Sequence, residues 1–366
     1  MQATAAVVRE RSGTFRLEEL SLADPRDDEV LVRIVGVGIC HTDLAARDQH
    51  IPVPLPAVLG HEGAGVVEQV GSRVTRVKPG DHVVLTWTYC GTCGACRSGQ
   101  YACCERFFPY NIANGARPDG SATLHDRDGQ VVHGHFFAQS SFAEVAIASE
   151  RSVVRVRDDV PLELIAPLGC GVMTGAGAVM NSLQPRPGAS IAIFGVGPVG
   201  MSAVLAAVVC GCTTIIAVDT KPGRLAVATE LGATHTVDAT QGNPVEAIID
   251  ITGGGPEFSL ECVGSPKVLR QAMDVLPRRG VCGLLGVVAP GTEVTLDMDL
   301  LMNGRAVRGI IEGDAVPDLF IPRLLDLYSR GRFPYTSLVT FYAFDQVNEA
   351  VEDMEQGRVI KPVLRP

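Results

Sequence analysis

The stretch Ser190-Ile-Ala-Ile-Phe-Gly-Val-Gly-Pro-Val-Gly200 decides the fold of the second half of the chain. Its first five residues form an apolar run typical of a buried strand, and residues 201–210 predict an apolar helix. A Gly-x-Gly-x-x-Gly pattern alone is weak evidence, since glycine makes up 40 of the 366 residues. Between a strand and a helix, however, it matches the fingerprint of a dinucleotide-binding βαβ unit. We expect Gly195 to permit the tight turn, Gly197 to let the backbone approach a pyrophosphate and Gly200 to allow close helix–strand packing, with Val196 and Val199 completing the phosphate-binding turn.

A carboxylate follows the next predicted strand. Residues 215–218 are apolar, and Asp219 stands at their end, nineteen positions after Gly200. A carboxylate at this place accepts hydrogen bonds from the adenosine ribose hydroxyls and repels a 2′-phosphate, so Asp219 predicts NAD rather than NADP. The alternative is a turn residue without a ligand, which the glycines upstream make the weaker interpretation.

The pattern of elements divides the chain into three regions. Short β-like runs separated by Gly and Pro indicate a mostly antiparallel β domain over residues 1–171. Strand–helix alternation over residues 172–311 predicts a parallel sheet with right-handed crossovers, and residues 312–366 return to helix and strand. The predicted fold class is therefore α/β, a doubly wound parallel sheet joined to a mostly β domain. Residues 106–140 lack periodicity, and a loop of this length either serves the function or is a tolerated surface insertion.

Composition and charge argue against several classes of partner. Hydrophobic residues make up 46% of the chain and charged residues 20%, as in a globular protein. The formal charge of −10 opposes binding to nucleic acid or to an anionic membrane surface. Residues 188–218 contain no charge, but glycines and Pro198 divide them into short blocks that indicate the centre of a sheet rather than a membrane span. The N-terminus has no basic segment before a long apolar run, so we expect no signal peptide and a reducing, cytoplasmic location.

Four closely spaced cysteines predict a metal site. Cys90, Cys93, Cys96 and Cys104 are separated by two, two and seven residues, which lets four thiolates converge on one Zn²⁺. Four thiolates leave no open coordination position, so this zinc would be structural. A pair of disulfides is the alternative, and a reducing compartment disfavours it.

Three further residues carry zinc-ligand chemistry at scattered positions. Cys40 stands in Gly-Ile-Cys-His-Thr-Asp at the end of a β-like run, His61 stands in Gly-His-Glu-Gly before another, and Cys170 stands in Gly-Cys-Gly before the nucleotide-binding region. A lone cysteine or histidine is more often structural than a ligand. The combination of the three with the cysteine loop strengthens the metal interpretation.

Together these motifs resemble those of the zinc-dependent medium-chain alcohol dehydrogenases. The resemblance rests on Gly60-His-Glu-x-x-Gly65 with Gly71, on Cys40-His-Thr-Asp43, on the cysteine loop and on the glycine-rich turn, in the same order and over nearly the whole chain. Within the family, residues 47–49, 136–142, 169–178 and 309–313 are most similar to bacterial aryl-alcohol (benzyl alcohol) dehydrogenases. The resemblance implies a GroES-like catalytic domain over residues 1–171, a Rossmann domain over 172–311 and a C-terminal return to the catalytic domain over 312–366.

The resemblance also implies two zinc ions per chain and NAD as the cofactor. Cys40, His61 and Cys170 would hold the catalytic zinc and leave its fourth position to the alcohol oxygen. Two thiolates and one imidazole give a neutral Zn²⁺ site that still acidifies a bound alcohol. Hydride would then pass from a zinc-bound alkoxide to NAD.

Five neighbouring or distant residues receive roles from the same resemblance. Thr42 would take the alcohol proton through its hydroxyl, Asp43 would orient His61, and Glu62 would lie close behind the metal. His41 and Lys361 match positions that contact the pyrophosphate of the cofactor. For these last two, an ordinary loop histidine and a surface lysine are the alternatives.

One position departs from the family pattern. Many members place a histidine two residues after the aspartate to finish the proton relay, whereas this chain has Ala45. Arg47 and His50 lie nearby in sequence, but neither stands at the matching position. Either residue could take over the relay, or the proton could leave through water. From Ala45 alone we expect slower proton release rather than loss of activity.

Aromatic residues near the expected pocket favour an apolar or aryl substrate, although packing of the core would also explain them. They are Trp87, Phe107, Phe108, Phe136 and Phe137. The predicted function is reversible, NAD-dependent oxidation of primary alcohols with aromatic, allylic or other bulky apolar groups. A thiol-dependent formaldehyde dehydrogenase of the same family is one alternative. A dinucleotide sensor without turnover is another, although a sensor has no need of Thr42 and Asp43. We expect a small alcohol or aldehyde as partner, and a homodimer or homotetramer.

Overall fold

Eighteen strands and eleven α-helices follow one another in the computed structural model, which describes residues 1–366. The strands are β1 (Gln2–Val8), β2 (Arg16–Leu22), β3 (Glu29–Gly38), β4 (Ala57–Val58), β5 (Gly63–Val70), β6 (His82–Leu85), β7 (Leu124–His125), β8 (Val131–Val132), β9 (Val145–Ser149), β10 (Val153–Arg155), β11 (Ser190–Phe194), β12 (Thr214–Asp219), β13 (His235–Asp238), β14 (Phe258–Glu261), β15 (Val281–Leu284), β16 (Ala306–Gly309), β17 (Val339–Ala343) and β18 (Lys361–Arg365). The helices are α1 (His41–Arg47), α2 (Gly94–Arg97), α3 (Leu162–Ile165), α4 (Gly171–Gly177), α5 (Pro198–Val209), α6 (Pro222–Glu230), α7 (Pro244–Thr252), α8 (Pro266–Asp274), α9 (Met298–Met302), α10 (Pro317–Ser329) and α11 (Val347–Gln356).

The chain divides into two units. Unit 1 contains residues 1–170, 316–323 and 338–366, and unit 2 contains residues 171–315 and 324–337. The first boundary lies one residue before the predicted one. The prediction for the C-terminal region needs a correction, because residues 312–315 and 324–337 pack within unit 2 rather than with the catalytic domain.

Unit 1 contains two β-sheets. One has the strand order β4-β1-β2-β7-β8, and the other has the order β10-β6-β5-β3-β18-β17, with β9 also paired to β3. The antiparallel pair β3–β5 forms the middle of the second sheet and ends at Val37 opposite Gly63. At this end the chain leaves β3 toward Cys40 and enters β5 from His61, so sheet pairing alone brings these two side chains to one place.

Unit 2 is a six-stranded parallel sheet in the order β13-β12-β11-β14-β15-β16. Counted from β11, this order is 3-2-1-4-5-6, the doubly wound Rossmann topology. Apolar side chains of the sheet and of α7 and α8 form one buried cluster, which includes Phe194, Ile216, Ile248, Leu269 and Met273. The α/β prediction with a mostly β second domain is confirmed.

The uncharged stretch 188–218 forms β11, α5 and β12, as its glycine pattern predicts. No single helix is both long and apolar enough to cross a membrane. Two shorter helical segments, Leu162–Gly169 and Gly171–Leu183, pass that test only when they are taken together across a bend.

Candidate active site

Four side chains of types that can bind a metal meet in unit 1, at the end of the β3–β5 pair. Each of Cys40, His61, Glu62 and Cys170 offers one ligand atom, and these atoms all lie within 4.8 Å of one another. His61 is fully buried, and its Nε2 has no hydrogen-bond partner. A buried, unpartnered ring nitrogen beside two sulfurs is costly unless a cation fills the space, and it fits Zn²⁺ with one imidazole and two thiolate ligands.

Asp43 joins the segments that carry two of these side chains. It lies in the first turn of α1 and is fully buried. Its Oδ2 accepts the N–H of Cys40 at 2.9 Å, while Oδ1 accepts the N–H of Gly60 at 3.0 Å and lies 2.8 Å from Nδ1 of His61. With Nδ1 held by a carboxylate, the imidazole presents Nε2 to the cluster. The structure thus places Asp43 where the resemblance expects it.

Charge and hydrogen bonding tune the ligands themselves. A hydrogen bond with Cys170 lowers the pKa of Cys40 well below its usual value, against the opposing effect of burial, and the nearby His61 lowers it further. Burial alone lowers the pKa of His61, but the charges of Asp43 and Cys40 outweigh it and raise this pKa well above its ordinary value. The pocket therefore stabilises a thiolate next to a positive charge, which is the electrostatic pattern that a bound cation satisfies.

Thr42 and His41 occupy the start of α1. The Thr42 hydroxyl oxygen lies 3.7 Å from Sγ of Cys40, at the edge of the cluster. His41 is the first residue of α1 and is exposed, and its contact with a pyrophosphate stays a prediction.

Lys361 is not the surface lysine that was the alternative, because it begins β18 and is only 1% exposed. Its contact with a pyrophosphate stays a prediction. Its Nζ lies 2.5 Å from Oε2 of Glu62 and donates to the carbonyl of Ile39 at 3.0 Å. Burial raises the pKa of Glu62 and the Lys361 charge opposes that rise, while the Glu62 charge raises the pKa of Lys361 against the effect of burial. The lysine therefore neutralises the carboxylate of the cluster.

The four-cysteine loop forms a separate cluster in unit 1. The ligand sulfurs of Cys90, Cys93, Cys96 and Cys104 lie within 4.8 Å of one another, and all are free thiols. Sγ of Cys90 lies 3.8 Å from Sγ of Cys96, which matches the edge of about 3.8 Å in a tetrahedron with Zn–S bonds of ~2.3 Å. Burial raises the pKa of Cys90, but N–H donation from Thr92 and Cys93 lowers it to about 5 overall. The donor set fits a closed Zn²⁺ site better than disulfides.

The glycine-rich turn of unit 2 fits a dinucleotide. Gly195 has φ +85°, and a Cβ on Gly200 would lie 2.1 Å from the carbonyl oxygen of Gly195, so neither position admits a side chain. At Gly197 a Cβ would meet only Nη1 of Arg224, at 3.9 Å, so the backbone there is open to a pyrophosphate. Asp219 ends β12, and its Oδ2 accepts the N–H of Val196 at 2.9 Å, which fixes the carboxylate beside this turn.

Comparison with known protein families supports the domain types predicted for both halves of the chain. Residues 26–158 match the alcohol dehydrogenase GroES-like domain, and residues 198–330 match the zinc-binding dehydrogenase domain. The chain belongs to the zinc-dependent alcohol dehydrogenase family.

Individual relatives cover the whole chain. A geraniol dehydrogenase from Castellaniella defragrans is 47% identical over 100% of this chain and 98% of its own. The crystal structure of an alcohol dehydrogenase zinc-binding domain protein from Burkholderia ambifaria has a TM-score of 0.97 and 52% identity, with 100% of this chain and 99% of that chain covered. That of benzyl alcohol dehydrogenase from Acinetobacter calcoaceticus has a TM-score of 0.96 and 46% identity, with the same coverage.

Aromatic rings surround the histidine of this alcohol dehydrogenase. The ring of Phe137 stacks on His61 with centroids 4.5 Å apart, and Phe136 meets the same imidazole edge-on at 5.6 Å. Phe107 packs between Phe137 and Trp87, at 6.4 and 5.7 Å. Four of the five predicted aromatics thus form one connected wall.

Phe108 is the exception among the predicted aromatics, because 44% of it is exposed and no ring contact joins it to that wall. Two further residues of the alcohol dehydrogenase site were not predicted from the sequence. Gln139 and Thr86 are buried and bond to the backbone of the ligand-bearing segments. Neither belongs to a metal-ligand or catalytic pattern, so their only signal was a position in segments rich in site residues.

Proposed function

We propose that this alcohol dehydrogenase catalyses the reversible, NAD-dependent oxidation of primary alcohols with aromatic, allylic or other bulky apolar groups to aldehydes. The observation that carries the proposal is the wall formed by Trp87, Phe107, Phe136 and Phe137, which adjoins His61 of the metal-binding cluster. Flat apolar groups gain both area burial and ring–ring contacts against such a wall, whereas a two-carbon alcohol gains little. The geraniol and benzyl alcohol dehydrogenases named above, at 47% and 46% identity, support the same substrate class.

The chemistry needs one proton and one hydride to leave the alcohol. Cys40, His61 and Cys170 would hold a Zn²⁺ ion, which supplies Lewis acidity toward the alcohol oxygen. Thr42, whose hydroxyl adjoins the cluster, would accept the alcohol proton while passing its own proton on to the ribose hydroxyls of NAD, and the hydride would pass to NAD. Asp43 holds the imidazole in the tautomer that keeps Nε2 free for the metal.

Glu62 and Lys361 have a supporting role in this proposal. Glu62 offers one of the four possible ligand atoms of the cluster, and Lys361 cancels a charge that would otherwise be buried alone. The four-cysteine loop would hold a second, structural zinc, because four thiolates leave no position for a substrate.

The preference for NAD rests on Asp219. Its carboxylate is held by backbone N–H groups of Val196, Thr220 and Lys221, so it cannot swing away from a ribose beside the turn. A 2′-phosphate would meet this negative charge at close range. Arg224, 3.8 Å from the same carboxylate, is largely neutralised by it.

Proton exit is proposed to be slow because the usual histidine is missing. Ala45 is buried, and Arg47 is paired with Asp48 at 2.8 Å and with Glu355 at 3.1 Å. Hydrogen bonding to Asp48, opposed by burial, raises the pKa of Arg47, so this guanidinium does not release a proton. Introducing Ala45→His should change the pH dependence of turnover, and an unchanged profile would contradict this explanation.

We also propose a homodimer or homotetramer. The edge strand β16 is exposed at all four residues, and large apolar side chains are exposed in the same part of unit 2, at Val287, Val288, Val294, Met298, Leu301, Met302 and Val307. An open strand edge with apolar neighbours fits pairing with a second copy. Light scattering on Val307→Lys should report a smaller species than the wild type, and an unchanged mass would argue against this surface.

A panel of alcohols tests the substrate proposal directly. NADH formation is measured with benzyl, cinnamyl, geranyl, hexyl and ethyl alcohol, and with a thiol adduct of formaldehyde. We expect kcat/KM to be highest for the aryl and allylic members. A clear preference for ethanol or for the thiol adduct would refute the assignment, the latter in favour of the formaldehyde dehydrogenase alternative.

A further inference from the structure

The end of the long loop 106–140 lies against the segment that leads into His61. Residues 139–142, called here the strap, follow the strained turn Phe136–Ala138. Within the strap, Ser140 Oγ, Phe142 N–H and Ser141 N–H donate in turn to the carbonyls of Val58, Leu59 and Gly60, at 2.7, 3.0 and 2.9 Å. Each of the three peptide carbonyls immediately before His61 therefore accepts a hydrogen bond from the strap.

Gln139 extends this contact to His61 itself and beyond. Its carboxamide is 1% exposed, and its Oε1 accepts the N–H of Gly63 at 3.2 Å. Its Nε2 donates to the carbonyls of His61 at 3.0 Å and Thr86 at 3.2 Å. Thr86 Oγ1 in turn donates to the carbonyl of Gly169 at 2.7 Å, next to Cys170. One amide thus connects the histidine segment with the segment before a cysteine ligand.

The backbone on both sides of Gln139 adopts energetically unfavourable conformations. Phe137, Ala138 and Ser140 have φ of 50°, 54° and 48°, a region that costs of order 1 kcal/mol or more for a residue with a Cβ. The approach is so close that a Cβ on Gly63 would lie 2.7 Å from Cβ of Ser141. Strain of this kind persists only where the surroundings impose the conformation, and it is concentrated at functional sites.

We propose that Gln139 is a positioning residue of the metal site, which sets the separation of His61 and Cys170 through its bonds to His61 and Thr86. The assignment rests on the proposed function, in which these two residues and Cys40 hold zinc. It predicts that loss of the carboxamide loosens the metal more than it destabilises the fold. A residue that merely anchors a loop would lower stability without any selective effect on the metal.

The test compares two buried amides in unit 1. Gln139→Met removes the hydrogen bonds and keeps the volume. Asn111→Leu does the same at a fully buried amide that bonds to the backbone of Thr88 and Phe107, on either side of the four-cysteine loop, and to no segment that carries Cys40, His61 or Cys170. Zinc release from the purified enzyme to a chelator is followed for both variants, together with Tm and with the d–d spectrum after Co²⁺ exchange into the three-ligand site.

The two variants are expected to differ in the rate of zinc release from the three-ligand site. Gln139→Met should speed zinc release from the three-ligand site about 10- to 100-fold and shift the Co²⁺ bands, whereas Asn111→Leu should stay within about twofold of wild type at a similar loss of Tm. Release from the four-cysteine site should not change in Gln139→Met. Equal release rates in the two variants would overturn the assignment.

A second pair of variants keeps the test decisive if Gln139→Met does not fold. Thr86→Val removes the hydroxyl that reaches Gly169, and Thr86→Ser keeps it. Faster zinc release in the valine variant alone supports the connection to Cys170, and identical release in both contradicts it. If the wild type holds zinc at the three-ligand site but none of these variants alters its release, the positioning role fails and the proposed function stands. A wild type with metal only at the four-cysteine site would refute the proposed function and the positioning role with it.

Discussion

Asp43→Asn is the substitution that separates the orientation of His61 from its presence. The carboxylate accepts from the N–H groups of Cys40 and Gly60 and contacts the His61 ring, at 2.8 to 3.0 Å, with no solvent exposure. An asparagine has one acceptor oxygen in place of two. In either orientation, its NH₂ group faces at least one of these donors.

The size of the effect follows from that conflict. A buried donor left without an acceptor costs about 1–3 kcal/mol. Partners that orient a metal-bound histidine typically contribute about 10- to 100-fold to metal affinity or activity, which corresponds to about 1.4–2.8 kcal/mol. The two estimates overlap, so we expect kcat/KM and zinc affinity to fall by about 10- to 100-fold.

The assay measures zinc per chain, NADH formation with benzyl alcohol and Tm on the same preparation. Asp81→Asn is the matched control, because Asp81 is also buried and its carboxylate accepts the backbone N–H of Lys78 at 3.0 Å, away from the cluster. The control should lose stability and keep both zinc ions. If Asp43→Asn retains wild-type zinc content and activity, the role assigned to this carboxylate is wrong.

Three further predictions address stability, the cofactor and the substrate. Arg117→Met leaves Glu29 buried without its ion-pair partner at 2.7 Å, so the free energy of unfolding in urea should fall by about 3–5 kcal/mol. Arg127→Ala breaks an exposed ion pair and should lower the same free energy by less than about 1 kcal/mol. Equal losses in the two variants would contradict the stabilising role of the buried pair. Asp219→Asn removes the charge that repels a 2′-phosphate, and the ratio of kcat/KM for NAD over NADP should fall roughly 10- to 100-fold; an unchanged ratio would show that Asp219 does not select the cofactor. Phe137→Leu removes about 0.5–1.5 kcal/mol of ring–ring contact, so the benzyl-to-ethyl alcohol ratio of kcat/KM should fall by roughly 2- to 12-fold; a ratio that rises would place the substrate elsewhere.

The parts of this molecule that were predictable from sequence are those set by local rules. Gly195 and Gly200 predict the tight turn, because no side chain fits at either position. The strand before the turn and the helix after it lie where the apolar runs predict them. The spacing of the four cysteines similarly determines which sulfurs can meet.

The burial of Lys361 and the residues that were missed depend on contacts between distant segments. Sequence alone does not exclude a surface lysine at position 361, and Lys361 is buried because β18 pairs with β3 and so carries it to Glu62. Gln139 belongs to no metal-ligand or catalytic motif, since it bonds backbone groups that any residue type could present. Phe108 and Phe107 are neighbours in sequence, yet only Phe107 joins the aromatic wall.

The most direct test of the central claim is X-ray absorption at the zinc edge, recorded while a chelator removes metal and activity is followed. The two-site account predicts two zinc ions per chain, with activity lost in proportion to the first ion removed. The ion that remains should show only sulfur neighbours, from Cys90, Cys93, Cys96 and Cys104. Activity that persists when only the all-sulfur ion remains would contradict the assignment of the chemistry to Cys40, His61 and Cys170.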